Sequence, residues 1–398
     1  MATASLVEIG IAITAIAVGG ALAVRIGLSV IPAYIVVGVL IGPNEPTSIA
    51  GVPLTLVTSG EFISVVAELG IVFLLFFLGL EFSVGQLLGD ARRITAAGTV
   101  DFLVNFGVGL ALGFAFGFTL VETLFVAGVV YISSSAIVTK SLVENGWVAN
   151  PEGNVILGTL VFEDLLIAIY LAVLAAVAFG GGSLLDAATS VATAFAFLGA
   201  LALVAWYGTD YIDRAFTAES DELFLLRVLG VTILVAGAAL AAGLSEAVAA
   251  FFVGTAFSGT DHSPRIERVV APAKDFFAAV FFLSIGLATD VTVVADVALL
   301  LAAAVVVTTL GKLLSGFVSG RIYRLDTVRS LRVGLGLVPR GEFSLVLAAL
   351  AATSGSGTLA TVIPAFAVGY VLLMSILGTV LIQRSSALTD RFRAASGG

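Results

Sequence analysis

From residue 5 to residue 382 the chain alternates long apolar runs with short polar connections. A helix that spans a bilayer needs about 20 mostly apolar residues. The runs therefore predict about 13 helices, near 5–24, 28–42, 62–80, 96–117, 122–143, 152–178, 185–208, 221–242, 244–258, 275–289, 293–318, 331–353 and 359–382. No basic stretch precedes the first run and no small-residue cleavage site follows it, so it reads as a retained helix and not a signal peptide. The runs group into one transmembrane domain over 1–382, with 383–398 left as a short tail.

Composition agrees with the pattern. Charged residues make up 11% of the 398 and hydrophobic ones 60%, against about 25% charged in ordinary soluble domains. Most side chains thus face lipid or other apolar helices, and the protein reads as an all-α polytopic membrane protein. Cysteine is absent, which excludes thiolate metal sites and cysteine nucleophiles. The lone histidine, His262, lies in a polar loop and reads as a solvated surface residue, so no resident metal centre or cofactor is expected. No phosphate-binding glycine loop follows a strand pattern, and nothing suggests nucleic-acid binding.

Cytoplasmic loops of membrane proteins are enriched in Lys and Arg. With the N-terminus outside, Arg25, Arg92, Arg93, Arg214, Arg265, Arg268, Lys274, Arg321, Arg324, Arg329, Arg384, Arg391 and Arg393 all fall on the cytoplasmic side, whereas 43–60, 180–186 and 354–358 hold no basic residue. The expected topology is N-terminus outside and C-terminus cytoplasmic, with a tail too short for a folded regulatory domain.

Two strings recur. Leu74 to Leu80 closes a Phe-rich run on Gly79-Leu80, as Phe281 to Leu287 does on Gly286-Leu287; Val37-Gly38 is matched by Val253-Gly254. The copies lie seven helices apart, an odd number, so they have opposite orientation. This predicts inverted repeats over about 28–178 and 244–382, joined through a linker helix at 185–208. Transporters built this way place their site at the midplane, on broken helices.

Two segments carry helix-breaking polar centres. Ser133, Ser134 and Ser135 interrupt 122–143, and Pro339-Arg340-Gly341-Glu342 interrupts 331–353. Unwound backbone at membrane depth is tolerated where it lines a cavity. For the serines the alternative is close helix packing by small residues; for the second string it is an internal ion pair between Arg340 and Glu342.

Charges supply the candidate chemistry. Glu163 and Asp164 stand side by side in the middle of 152–178, where each carboxylate costs roughly 2.5–3.5 kcal/mol on the insertion scale. Such a cost is retained where something charged binds. Lys312 lies deep in its helix and is read as a buried partner for a carboxylate, with snorkelling as the alternative; Lys140, nearer a helix end, is read as snorkelling. Helix-end hydration is taken to account for Asp101 and Glu68.

These strings resemble those of monovalent cation:proton antiporters of the Kef and Nap type, within the sodium/hydrogen exchanger-like cation:proton antiporter superfamily. Pro32-Ala33-Tyr34 through Gly42-Pro43 is similar to the second-helix signature, and Ala67-Glu68-Leu69-Gly70 into Gly79-Leu80-Glu81 to the next. Ser133 to Ala136 resembles a Ser-Ser-Thr-Ala motif, Phe162-Glu163-Asp164 the carboxylate pair, Gly311-Lys312 the basic position, and Arg340 to Phe343 a Gly-Gly-Glu-Phe string. The resemblance covers residues 5–382. It implies an inverted-repeat antiporter fold with two discontinuous crossing helices, a homodimer, and a plasma-membrane location. Two features depart from the pattern. Glu163 stands where relatives have Asn, Asp or Gln, so their ion preference and stoichiometry do not transfer. Many Kef-type proteins continue into a nucleotide-binding domain, so any such control would come from a separate cytosolic subunit.

The expected function is secondary active exchange of K+ or Na+ for H+ by alternating access. Proton and cation compete for Asp164, with Glu163 and the hydroxyls of Ser133, Ser134 and Ser135 at the site and Lys312, Arg340 and Glu342 as supporting charges. A cation channel and a sodium-coupled organic-anion symporter are the alternatives. An enzyme is not expected, since an intramembrane aspartyl protease needs a second aspartate where this chain has Glu342.

Overall fold

The computed structural model describes residues 2–44, 47–49, 52–53, 55–58, 60–81, 91–147, 150–179, 196, 216, 220–241, 246–353 and 357–385. In chain order its helices are α1 (Ala2–Arg25), α2 (Val30–Ile41), α3 (Glu61–Glu81), α4 (Ala91–Ala115), α5 (Leu120–Tyr131), α6 (Ser135–Glu144), α7 (Pro151–Phe179), α8 (Asp221–Ala241), α9 (Glu246–Ser258), α10 (Ser263–Val269), α11 (Ala271–Ala288), α12 (Val291–Asp296), α13 (Ala298–Ile322), α14 (Thr327–Gly336), α15 (Glu342–Ala352) and α16 (Gly357–Gln383). Every expected segment overlies a helix or a pair of half-helices, except the linker at 185–208, which apart from Ala196 lies outside the described residues, as does the tail beyond 385. Among the described residues, nine helical stretches are long and apolar enough to cross a membrane.

Local chemistry sets the boundaries. The α4 to α5 turn combines a stop with a start: Gly117 takes a left-handed φ of 78°, Phe118 N–H returns to Gly113 C=O at 3.1 Å, and Thr119 and Glu122 form a reciprocal capping box. Asp326 caps α14 by accepting from Arg329 N–H at 2.9 Å.

Several details differ from the sequence expectation. The fold is nearly all helical: the connection expected over 43–60 contains a small antiparallel pairing of Ser48–Ile49 with Val52–Pro53. The helix expected from 293 begins at Ala298, because Asp290 caps a separate short helix, α12, through Thr292 N–H at 2.8 Å. Residues 263–269 form α10 with Pro264 in its first turn. His262 is half-buried with its ring 5.7 Å from that of Phe224, and is not a fully solvated residue.

The packing sorts the helices into two bundles. In one, α3 packs on α9 and α11, α2 on α11 and α1, and α8 on α9; in the other, α13 packs on α4 and α14, α4 on α5 and α7, and α15 on α16 and α5. Glycines bring the first bundle to backbone contact. A Cβ on Gly38 would stand 2.8 Å from Gly286 Cα, and one on Gly286 equally close to Gly38 Cα. A Cβ on Gly79 would stand 2.8 Å from Thr255 N, and one on Gly254 would stand 2.9 Å from Leu80 N. Small residues permit such approach between helices that gain little from hydrophobic burial in lipid.

Candidate functional site

The second bundle contains both helix breaks, and they face each other. After Tyr131 the chain turns extended at Ile132 (φ −71°, ψ 130°) before α6 begins at Ser135. The other break runs from Leu337 to Gly341, where Pro339 has no N–H to donate. Groups freed in one break bond to the other: Ser134 N–H donates to Pro339 C=O at 2.9 Å, and Ser133 Oγ donates to Leu337 C=O at 3.0 Å. Gly341 is required by this crossing, since a Cβ there would stand 2.7 Å from Ser134 Cβ.

Arg340 and Glu342 divide the four half-helix ends between them. Arg340, fully buried, donates from Nε to Val130 C=O at 3.0 Å and from Nη1 to Leu337 C=O at 2.8 Å and Val338 C=O at 2.7 Å. These carbonyls close α5 and α14, so the guanidinium sits where both macrodipoles are negative. Glu342 opens α15 and accepts from Ala136 N–H at 3.2 Å, at the start of α6, and from Ser134 Oγ at 2.8 Å. The carboxylate thus sits at two positive ends.

Lys312 belongs to a buried ionic cluster. Its Nζ lies 2.8 Å from Glu163 Oε1 and 2.7 Å from Asp101 Oδ2, and all three side chains are fully buried. Ser133 adds two donors to Glu163: its N–H to Oε2 at 2.5 Å and its Oγ to Oε1 at 3.0 Å. Asp101 corrects the expectation of a hydrated helix end. Helix α4 starts at Ala91, earlier than its apolar run suggests, which places Asp101 about 15 Å along the axis. Its Oδ1 accepts from Asn105 Nδ2 at 2.9 Å and Ser315 Oγ at 2.7 Å. Asn105 and Ser315 were also not anticipated, although their spacing gives a signal. Asp101 and Asn105 are one turn apart, and Thr308, Gly311, Lys312, Ser315 and Ser319 form a small and polar stripe at helical period on α13.

Asp164, next along α7, faces elsewhere. Ser135 Oγ lies 3.0 Å from its Oδ1 and 2.9 Å from its Oδ2, at the first residue of α6. Asp164 and Ser135 are half-buried and Ala136 is exposed, in contrast to the sealed Glu163. The three serines are therefore distributed: Ser133 on Glu163, Ser134 on Glu342 and Ser135 on Asp164. Chemically, the arrangement offers a partly accessible carboxylate with one hydroxyl donor, surrounded by charges whose partners are already assigned.

A cavity of about 650 Å³ lies between the bundles, walled by Ser64 and Glu68 on α3, Glu246 on α9, Ile285 on α11, Leu171 on α7 and Ala349 on α15. Leu171 stands two turns along α7 from Asp164.

Comparisons with known proteins bear on the family and the fold. The sodium/hydrogen exchanger transmembrane family model matches residues 11–385. The chain is 38% identical over 382 residues to the K(+)/H(+) antiporter subunit KhtU of Bacillus subtilis, covering 96% of this chain and 93% of that one. It is 32% identical to the ammonium/H(+) antiporter subunit AmhT of Alkalihalophilus pseudofirmus, covering 85% of each. In fold it is similar to the sodium proton antiporter MjNhaP1 of Methanocaldococcus jannaschii, at TM-score 0.70 and 16% identity over 97% of this chain and 98% of that one. The chain belongs to the sodium/hydrogen exchanger family, and is an integral membrane cation:proton antiporter.

Proposed function

We propose that the protein exchanges a monovalent cation, K+ or Na+, for H+ by alternating access, with both ions competing for Asp164. The observation that carries this reading is Asp164 itself: a half-buried carboxylate in the middle of a spanning helix, met by the Ser135 hydroxyl where a helix is broken. A carboxylate at that depth in a membrane is costly in its charged form, and either ion can offset the charge. A proton does so covalently; a cation does so with Ser135 and carbonyls of the unwound stretch completing its shell. One neutralising ion at a time gives exchange if the bundle moves only when neutral. The name of the Bacillus subtilis relative makes potassium the first cation to test.

Glu163, with Ser133 and Lys312 on its oxygens, is assigned to holding the break, and Ser134 to holding Glu342. The two matched glycine contacts support an inverted repeat in which α2 corresponds to α9 and α3 to α11, with the broken pairs α5–α6 and α14–α15 corresponding likewise. The proposal extends to a homodimer in the plasma membrane, N-terminus outside. The word subunit in the names of both relatives supports a separate partner chain, which the proposal places in the cytosol. The test is a pH-gradient assay in proteoliposomes, titrated with K+, Na+ and Li+. The native protein dissipates the gradient on cation addition, and Asp164→Asn does not; full exchange in that variant overturns the assignment.

A further inference from the structure

We propose that Asp101 is a positioning residue of the exchange site: it supplies the standing counter-charge of Lys312 and so fixes the field that the cation meets at Asp164. The inference rests on the antiport reading above. Four groups on four different helices meet at one lysine neighbourhood. Lys312 on α13 touches Asp101 on α4 and Glu163 on α7, with its Nζ 5.3 Å from the ring centre of Tyr131 on α5. Asp164 is the next residue of α7. The formal charges of Asp101, Lys312 and Glu163 sum to one negative.

The two carboxylates hold the lysine differently. Glu163 reaches it from the helix that carries Asp164 and is itself tied to the break through Ser133. Asp101 reaches it from α4, which carries neither break, with Asn105 and Ser315 donating to its other oxygen. Three donors therefore hold the Asp101 carboxylate in place without using any group of the break. Were Glu163 the only partner, any rearrangement of the break during transport would strand a buried ammonium, which is strongly unfavourable. With Asp101 present the lysine stays paired, and its net field at Asp164 is that of a compensated group.

Three variants in proteoliposomes separate this role from simple scaffolding. Asp101→Asn leaves the lysine under-compensated, so the apparent KM for K+, measured at alkaline pH where the proton competes little, rises by roughly tenfold for one unit charge acting across about 10 Å at the effective dielectric of a protein. Lys312→Met has the opposite charge change and lowers KM. The double variant Asp101→Asn/Lys312→Met restores the net charge and brings KM back to within about twofold of native, while maximal rate is allowed to fall in all three. A purely structural Asp101 would lower the rate with KM unmoved, and that result overturns the proposal. Thermal unfolding of the same proteins reads the pairing without transport: each single variant melts lower and the double recovers part of the loss. If the native protein exchanges no cation, the antiport reading fails; equal melting losses in single and double variants sink the Asp101 pairing independently.

Discussion

Ser135 has one hydroxyl proton and shares it between both oxygens of Asp164, so its removal subtracts a single polar contact from the half-buried carboxylate and leaves the sealed charges untouched. A hydrogen bond of this kind is worth about 0.5–1.5 kcal/mol net, which converts to roughly twofold to just over tenfold in an equilibrium constant. Ser135→Ala is expected to raise the apparent KM for the transported cation by about that factor and to keep exchange measurable. Ser133→Ala differs: its backbone N–H still holds Glu163, while the hydroxyl that links Glu163 to Leu337 C=O is lost. The contrast between these two serines is the check. Equal KM shifts in both variants would mean that the hydroxyl on Asp164 has no special place at the ion site.

Between helices, the glycines set how near two backbones come, and the consequences are calculable. A side chain on Gly254 would meet Phe76 and Leu80 backbone atoms, and one on Gly79 would meet those of Phe251 and Thr255. Gly254→Val therefore forces α9 and α3 apart and should cost about 1–3 kcal/mol as overpacking does elsewhere, read as a lower melting midpoint in detergent. Gly230→Val, where no atom lies within 4 Å of the added Cβ, should melt like the native protein; matching losses in both would refute the contact argument. These helices also show what the chain makes legible. Gly38, Gly79, Gly254 and Gly286 belong to the strings that recur in the sequence, and each is a point of backbone contact. The breaks were readable because Pro339, Gly341 and three serines have little other reason to sit in apolar runs. Asp101 was not, since its apolar run starts at 96 while α4 starts at Ala91, so hydropathy alone misjudged its depth. The partition of Ser133, Ser134 and Ser135 among three carboxylates was equally hidden: it depends on which way each residue faces after an unwound turn, and no helical period holds there.

Across the protein, the cavity divides α3, α9 and α11 from α7 and α15, so it lies on the boundary that the proposed alternating access would move. The ionic cluster, both breaks and Asp164 belong to one side of that boundary, and nothing in their bonding has to be broken for the two bundles to slide. A covalent tie across the cavity should then stop exchange without disturbing the site. The absence of native cysteine makes the experiment clean. Ser64→Cys on α3 and Ala349→Cys on α15 place one thiol on each wall. Joined by a disulfide-containing bismaleimide, the doubly substituted protein should lose exchange in proteoliposomes, and reduction of the linker's disulfide should restore it. Either single variant treated with the same reagent should keep most of its activity, which separates tethering from mere filling of the cavity. Full exchange by a protein shown on a gel to be tethered would mean that the two walls do not move against each other in the cycle, and the ions would then have to reach Asp164 by a route fixed within one bundle.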